Sequence, residues 1–405
     1  MIKETSTQNK NYGIAADIGT TTIAMQLIER THGKPVELYT ALNGQRIFGP
    51  DVISRIEASN NGDRVLLQNL IHKDLAQGIM QLTKQGNIKP QKMILAANTT
   101  MVHLLMGYSC KNLGVSPFTP VNLKTIHTTN RDLCNEINFD FPIMIYPGIS
   151  AYVGGDITAG LYALGFDTKE KVSILIDFGT NGEIAIGNKE RILVASTAIG
   201  PAFEGGNITH GCTGMPGAIH HVTIQNGKPI LETIQNKPPI GICGTGAIEI
   251  IYELRKTHYL DKTGLLIADF FDDGYPITTS AKGKNIIFTQ KDIREIQLAK
   301  SAVRAGIETL MRKYGINYDQ VEHLYIAGGF GFELNANKAV GMGLLPKECL
   351  AKIKTVGNSS LRGCVLGLSD KKKQSRLQHI VDISSELYLG NDATFNSLFM
   401  EYMYF

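Results

Sequence analysis

Asp17-Ile18-Gly19-Thr20-Thr21 closes an apolar run, Gly13 to Ala16, and the pattern returns 160 positions later as Asp177-Phe178-Gly179-Thr180-Asn181 after Val172 to Ile176. Each copy opens a second β-like run, Thr22 to Ile28 in the first and Glu183 to Ile186 in the second. Both read as strand, tight turn, strand, with glycine where φ can be positive and hydroxyl or amide side chains beside it. Amide N–H groups of such a turn can converge on one small concavity and bind phosphate oxygens. The leading aspartate sits at the strand end, aimed at the same spot. Two such hairpins facing each other would clamp a nucleotide tail and its metal. Tyr325-Ile326-Ala327-Gly328-Gly329-Phe330-Gly331 is a third strand running into glycines, which let the backbone approach a flat ligand.

Taken alone, each copy is more simply a tight turn capped by Asp, and the third motif an ordinary strand-to-helix turn. The repetition turns the reading toward nucleotide binding. Composition leaves that open and closes other classes. The 405 residues suffice for a sizeable core split into two lobes, and 43% hydrophobic with 19% charged residues is globular. A net charge of +3 argues for neither nucleic acid nor membrane as partner. No 18-residue apolar run and no signal-peptide h-region occurs. The six cysteines, Cys110, Cys134, Cys212, Cys243, Cys349 and Cys364, are scattered at least 15 positions apart, which fits reduced thiols in a cytoplasm. The spacing holds neither C-x₂-C nor C-x₄-C-x₂-C. Lys371-Lys372-Lys373 beside Arg376 reads as a solvated loop. Adjacent residues on a regular strand face opposite ways, so His220-His221 is not expected to hold one metal.

The three motifs resemble those of the actin-like ATPase (ASKHA) superfamily, whose signature adds two connecting helices. Gly154 to Ala163 and Ser359 to Gly367 resemble these, both rich in small residues that let helices cross closely. The resemblance implies an α/β, actin-like (ribonuclease H-like) fold, duplicated into two lobes. The expected division is a frayed N-terminus at 1–11, a first lobe at 12–165 and a second at 166–405.

Longer blocks narrow the resemblance: Asn43-Gly44-Gln45 with Gly49 to Ile56, Asn98 to Gly107, Ser196 to Gly206, Gly241 to Gly246 and Thr289 to Lys300. These are similar to the C-terminal, DUF4445-type ATPase domain of the reductive activators of corrinoid proteins. The resemblance implies ATP and Mg²⁺ as ligands, with Asp17 and Asp177 holding the metal, directly or through its waters. It implies Gly19, Thr20, Thr21 and Thr22, with Gly179, Thr180, Asn181 and Gly182, around the phosphates. Gly328, Gly329 and Phe330 would lie against the adenosine. Asp156, opening the first connecting helix, is a candidate base or simply an acid favoured by the helix dipole. Glu183 is a further catalytic candidate, and Glu204 is either a lid contact or a solvated loop acid.

The implied activity is ATP hydrolysis that drives a corrinoid protein from Co(II) to Co(I), in a cytoplasmic homodimer. Members of that family typically carry iron–sulfur motifs, and none stands here, so no cluster is expected and a separate ferredoxin or reductase would supply the electron. Two rivals remain: a small-molecule kinase with Asp156 as base, and a non-catalytic nucleotide-dependent switch or assembly partner.

Overall fold

In the computed structural model, residues 11–134, 136–280, 282–328 and 334–405 are described. Contacts divide the chain into a first unit, Met1–Thr168 with Ser359–Glu386, and a second, Lys169–Asn358 with Leu387–Phe405.

The first unit begins with β1 (Tyr12–Ile18), β2 (Thr22–Glu29) and β3 (Lys34–Leu42), an antiparallel meander. Helices α1 (Val52–Ala58) and α2 (Arg64–Leu82) follow, then β4 (Pro90–Ala97), which lies parallel to β1. After α3 (Thr99–Met106), β5 (Ile126–Thr129) and α4 (Asn130–Leu133) comes β6 (Pro142–Ile145), parallel to β4, and then α5 (Gly155–Leu164). The sheet order is β3-β2-β1-β4-β6-β5. Its central strands are apolar on both faces; Ile14, Ala15, Ala16 and Ile18 of β1 are all fully buried. Strands covered on both faces read as continuous apolar runs, which is why β1 and β4 are so legible in the sequence.

The second unit repeats this plan. Strands β7 (Val172–Phe178), β8 (Gly182–Gly187) and β9 (Ile192–Thr197) form the antiparallel meander. An inserted subsheet follows: β10 (Ala218–Gln225), β11 (Lys228–Thr233) and β12 (Gly241–Ile242). Next come α6 (Gly244–Lys256), α7 (Ala268–Phe271), the hairpin β13 (Tyr275–Thr279) and β14 (Asn285–Phe288), and the long α8 (Gln290–Tyr314). Strand β15 (Val321–Gly328) lies parallel to β7; α9 (Ala336–Gly341) leads to β16 (Ile353–Gly357), parallel to β15. In the main sheet of this unit, five of its strands run β16-β15-β7-β8-β9. That order and its mix of parallel and antiparallel pairs match β6-β4-β1-β2-β3 strand for strand, so the repeated motif marks a duplicated fold.

Helix α8 shows how pattern becomes packing. Thr289 and Asp292 form a reciprocal capping box at its start, and Gly315 closes it with φ +83°. Ile293, Ile296, Ala299, Val303, Ile307 and Leu310 are buried, each large one contributing about 1.5–3 kcal/mol. Helix α12 (Ala393–Glu401) lays Phe395 and Phe399 against the same core.

One segment departs from the sequence reading. The second lobe was expected unbroken from 166 to 405, yet α10 (Ser359–Gly367) and α11 (Lys373–Ile383) belong to the first unit. Helix α10 packs on α5, β1 and β4. At its crossing with α5 a side chain on Gly363 would collide with the Ala159 carbonyl. Helix α11 was not foreseen. Lys373 is its first residue, and Arg376 is no solvated loop residue: its guanidinium grips Asp167 through Nε–Oδ2 at 2.6 Å and Nη2–Oδ1 at 2.9 Å. Among the described residues, no helix is long and apolar enough to cross a membrane.

Candidate functional site

In the first unit the turn after Asp17 is built around Asn43, which is fully buried. The Gly19 N–H donates to the Thr22 carbonyl at 2.9 Å. Asn43 donates its amide nitrogen to the Gly19 carbonyl and its backbone N–H to the Thr21 carbonyl, both at 2.9 Å. Its side-chain oxygen accepts from the Gln45 N–H at 2.9 Å. Two turn carbonyls are thereby occupied by one residue, so a phosphate approaching the turn does not meet those oxygens. Thr20 is held from the other side: Asn98 Nδ2 donates to Thr20 Oγ1 at 3.0 Å, while Asn98 Oδ1 caps α3 through the Met101 N–H at 2.9 Å.

Helix α5 starts against the same place. A side chain on Gly154 would collide with Asn98 Cα and the Thr99 nitrogen, so only glycine lets the two helix starts abut. Asp156 lies in the first turn of α5, partly buried, and accepts from the Ile157 N–H at 2.9 Å. Burial first, and the Asp17 carboxylate second, push its pKa up from 3.8 to about 7. Asp17 accepts a hydrogen bond from Ser360 Oγ at 2.7 Å. Asp17, Thr20, Asn98, Asp156 and Ser360 therefore gather at one end of the first sheet. Two carboxylates that repel one another, beside a turn whose carbonyls are taken, form a donor set that suits a divalent cation with phosphate.

In the second unit the register places Asp177 opposite Glu183, and Glu183 opposite Ser196, whose hydroxyl donates to Glu183 Oε1 at 3.3 Å. Directly paired residues share a face of the sheet, so Asp177 and Glu183 stand side by side. In the first copy Ala24 occupies the position facing Asp17, and the turn there is one residue longer. The Gly179 N–H donates to the Asn181 carbonyl at 3.0 Å. Thr180 Oγ1 lies 3.5 Å from Glu204 Oε2, at the end of a short helix closed by Gly205. A side chain on Gly182 would sit 2.8 Å from Thr197 Oγ1. Gly328 pairs with Phe178 across the parallel β15–β7 ladder at φ +92°; a Cβ there would strike the Phe178 carbonyl and lie 2.9 Å from Asp177 Oδ1. Gly328 thus shares the sheet end that carries Asp177. Gly329 and Phe330 lie outside the described residues.

Two sequence profiles match the chain: the RACo middle region over residues 12–169, and the C-terminal domain of RACo, the ASKHA domain, over residues 171–405. The chain belongs to the RACo family. It is 35% identical to the corrinoid activation enzyme RamQ of Eubacterium limosum, across 96% of this chain and 69% of that protein. A [Co(II) methylated amine-specific corrinoid protein] reductase of Methanosarcina barkeri is 25% identical across 96% of this chain and 76% of its own length. The solved reductive activator for corrinoid, iron–sulfur protein superposes with a TM-score of 0.89 at 32% identity, covering 98% of this chain and 67% of that one. As a RACo-family chain it carries an α/β actin-like fold of the nucleotide-binding ASKHA type.

Within that RACo frame, Asn43, Asn98 and Ser360 carry roles the motif reading did not assign. Asn98 had a local signal, an Asn standing just before an apolar helix. Asn43 and Ser360 act across 24 and 343 positions and had none. All six cysteines are free and all but Cys212 buried. Burial pushes Cys212 and Cys349 up to about 11 and Cys134 to about 12, so they are thiols at neutral pH. Among the described residues, one group of three His, Cys, Asp or Glu side chains lies close enough together to hold a metal, His220, His221 and Glu232, with no cysteine among them. The expectation that adjacent histidines diverge fails because β10 is not a regular strand at that point.

Proposed function

We propose that this chain is the ATP-binding and ATP-hydrolysing component that drives reductive reactivation of a corrinoid protein, Co(II) to Co(I). The observation that carries this reading is the duplicated Asp-ended hairpin within a chain alike, over 96% of its length, to two proteins named for acting on corrinoids. Asp17 and Asp177 would hold Mg²⁺, and the amides of Gly19 to Thr22 and Gly179 to Gly182 would receive the phosphates. Gly328, with Gly329 and Phe330, would face the adenosine. Bound Mg²⁺ supplies charge neutralisation at the phosphates.

The remaining work falls to this chain's own groups. With a pKa near 7, Asp156 is partly deprotonated at neutral pH and suited to accept a proton from the attacking water. Ser360 fixes the Asp17 carboxylate by its hydrogen bond. Glu183, held by Ser196, is the alternative proton acceptor. Reduction of Co(II) takes one electron. A separate iron–sulfur donor, a ferredoxin or reductase, would supply it. We place the protein in the cytoplasm, where free thiols persist, as a homodimer like that implied by its family. The raised pKa of Asp156 also suits a kinase that deprotonates an acceptor hydroxyl, and the products distinguish the two readings.

The test is phosphate release by the pure protein with Mg-ATP, with and without a Co(II) corrinoid protein and a low-potential reductant. Stimulated hydrolysis together with the visible spectrum of Co(I), both absent in the Asp17→Ala, Asp177→Ala double variant, is the expected result. Hydrolysis indifferent to corrinoid overturns the proposal, and label from ATP appearing on a small acceptor would establish the kinase.

A further inference from the structure

Strand β10 and strand β11 pair with Ile219 opposite Thr233 and His221 opposite Glu232, so the ladder advances two residues on β10 for one on β11. This is a β-bulge, in which two residues of one strand oppose a single residue of the other. The burial pattern shows the same slip. Ile219 and Val222 are both buried, three positions apart, and regular inward alternation resumes with Ile224. Both histidines are consequently displaced to one side. Their ring centroids lie 4.2 Å apart, and one ligating atom from each of His220, His221 and Glu232 falls within 4.8 Å of the others.

The bulge is fixed from beneath by Glu249 of α6, itself buried. One carboxylate oxygen of Glu249 accepts from the Val222 N–H at 2.9 Å, and the other lies 2.9 Å from His221 Nδ1. Lys338 Nζ contacts Glu249 Oε2 at 2.9 Å, Glu253 Oε1 at 3.1 Å and the Val222 carbonyl at 2.5 Å, so its charge is matched within that layer. A carboxylate on one ring nitrogen fixes the tautomer and turns the other nitrogen outward, the arrangement found behind metal-binding histidines. With Nδ1 of His221 on Glu249, Nε2 would be the nitrogen left for a metal.

We propose that the bulged β10–β11 hairpin is a site for one borderline divalent transition cation of the zinc class, ligated by His220, His221 and Glu232. Two imidazoles and a carboxylate are a donor set that zinc takes, with water completing the tetrahedron. Bonds of about 2.0–2.1 Å require ligand atoms roughly 3.3 Å apart, which the three side chains reach by small rotations, since Glu232 is exposed and both histidines are partly so. The exposed edge leaves a path for the ion and an open position for water or an anionic ligand. Glu249 is a positioning residue for His221. The site shares no residue with the nucleotide-binding motifs.

The test is Co²⁺ titration of the full, chelator-treated chain without nucleotide and with excess Mg²⁺, followed by visible absorption. The expected result is one equivalent bound, with the bands of a four-coordinate nitrogen–oxygen site, no thiolate charge-transfer band, and displacement by Zn²⁺. His220→Ala and the surface change Glu232→Gln should each weaken binding by more than about tenfold, beyond the lower end of what outer partners carry. Circular dichroism confirms that each variant is folded; should His220→Ala unfold, Glu232→Gln still decides. Glu249→Gln, in a folded variant, should move the band positions. Absence of saturable Co²⁺ bands, an unchanged affinity in Glu232→Gln, or a thiolate band would overturn the assignment.

Discussion

Asp156→Asn makes the charge balance of the first unit measurable. The carboxyl is held near pKa 7 by burial and by Asp17, against an unfolded value of 3.8. Below pH about 4 it is protonated in folded and unfolded chains alike. Between there and pH 7 the unfolded chain has released its proton while the folded one keeps it, so stability falls as pH rises and levels off above pH 7. The interval spans about 3 pH units, an upper limit of about 4 kcal/mol at 1.36 kcal/mol per unit. Partial solvent contact lowers the expected plateau to about 2–4 kcal/mol. Asparagine does not titrate. The variant should therefore gain on the parent as pH rises from 5 to 7, by about 1–2 kcal/mol, then hold that lead to pH 8. Urea unfolding of both proteins across pH 5–8 reads this directly, because groups common to both cancel. An additional Asp17→Asn should flatten the slope without abolishing it, since burial is the larger cause. A stability difference independent of pH would refute the argument. If Asp156 is the proton acceptor, the same variant loses ATP hydrolysis while keeping nucleotide binding, read by equilibrium titration.

Other expectations follow from single contacts. Asn43→Ala leaves the Gly19 carbonyl and the Gln45 N–H without their partner and should cost about 2–4 kcal/mol in urea unfolding, with weaker ATP binding by calorimetry. Gly328→Ala meets both a φ of +92° and the Phe178 carbonyl; a loss of at least about 3 kcal/mol is expected in thermal unfolding. Arg376→Ala strips the buried Asp167 of its bidentate partner; the side chain's partial exposure brings the usual penalty of a broken buried pair to about 2 kcal/mol. Thiol titration of the folded protein at pH 8 should proceed slowly, with Cys212 reacting first, because the other five cysteines are covered. Burial also holds Cys134 and Cys349 in the unreactive thiol form at that pH.

What the sequence disclosed and what it hid divide along the range of the interactions. The hairpins after Asp17 and Asp177 were legible because glycine, hydroxyl residues and two apolar runs lie close together in the chain. Helix α8 was legible because one face repeats at spacings of three and four. At the β10–β11 turn Asn226 and Gly227 both adopt positive φ, the conformation an Asn-Gly hairpin favours. The pairing of Asp177 with Glu183 follows once the hairpin is counted out. The service of Asn43 to the Gly19 turn depends on where β3 ends in space, which no local pattern carries. The histidine pair misled because strand alternation was assumed through a bulge; the spacing of Ile219, Val222 and Ile224 was the available warning. Helix α11 was passed over because its lysines read as solvent-facing loop, while Arg376 was reaching a buried acid 209 positions earlier.

The first unit is discontinuous: α10 and α11 are made only after about 190 further residues, the whole of 169–358, have been synthesised. At a translation rate of about 5–20 residues per second, that is a delay of about 10–40 s. Throughout it, the nascent first unit leaves bare the surface of α5, β1 and β4 that α10 later covers, and Asp17 lacks the Ser360 hydroxyl. A nascent chain in that state is a natural client for a holding chaperone. Released fragments ending near residue 168 should aggregate, and resupplying the stretch 359–386 in trans should restore their solubility.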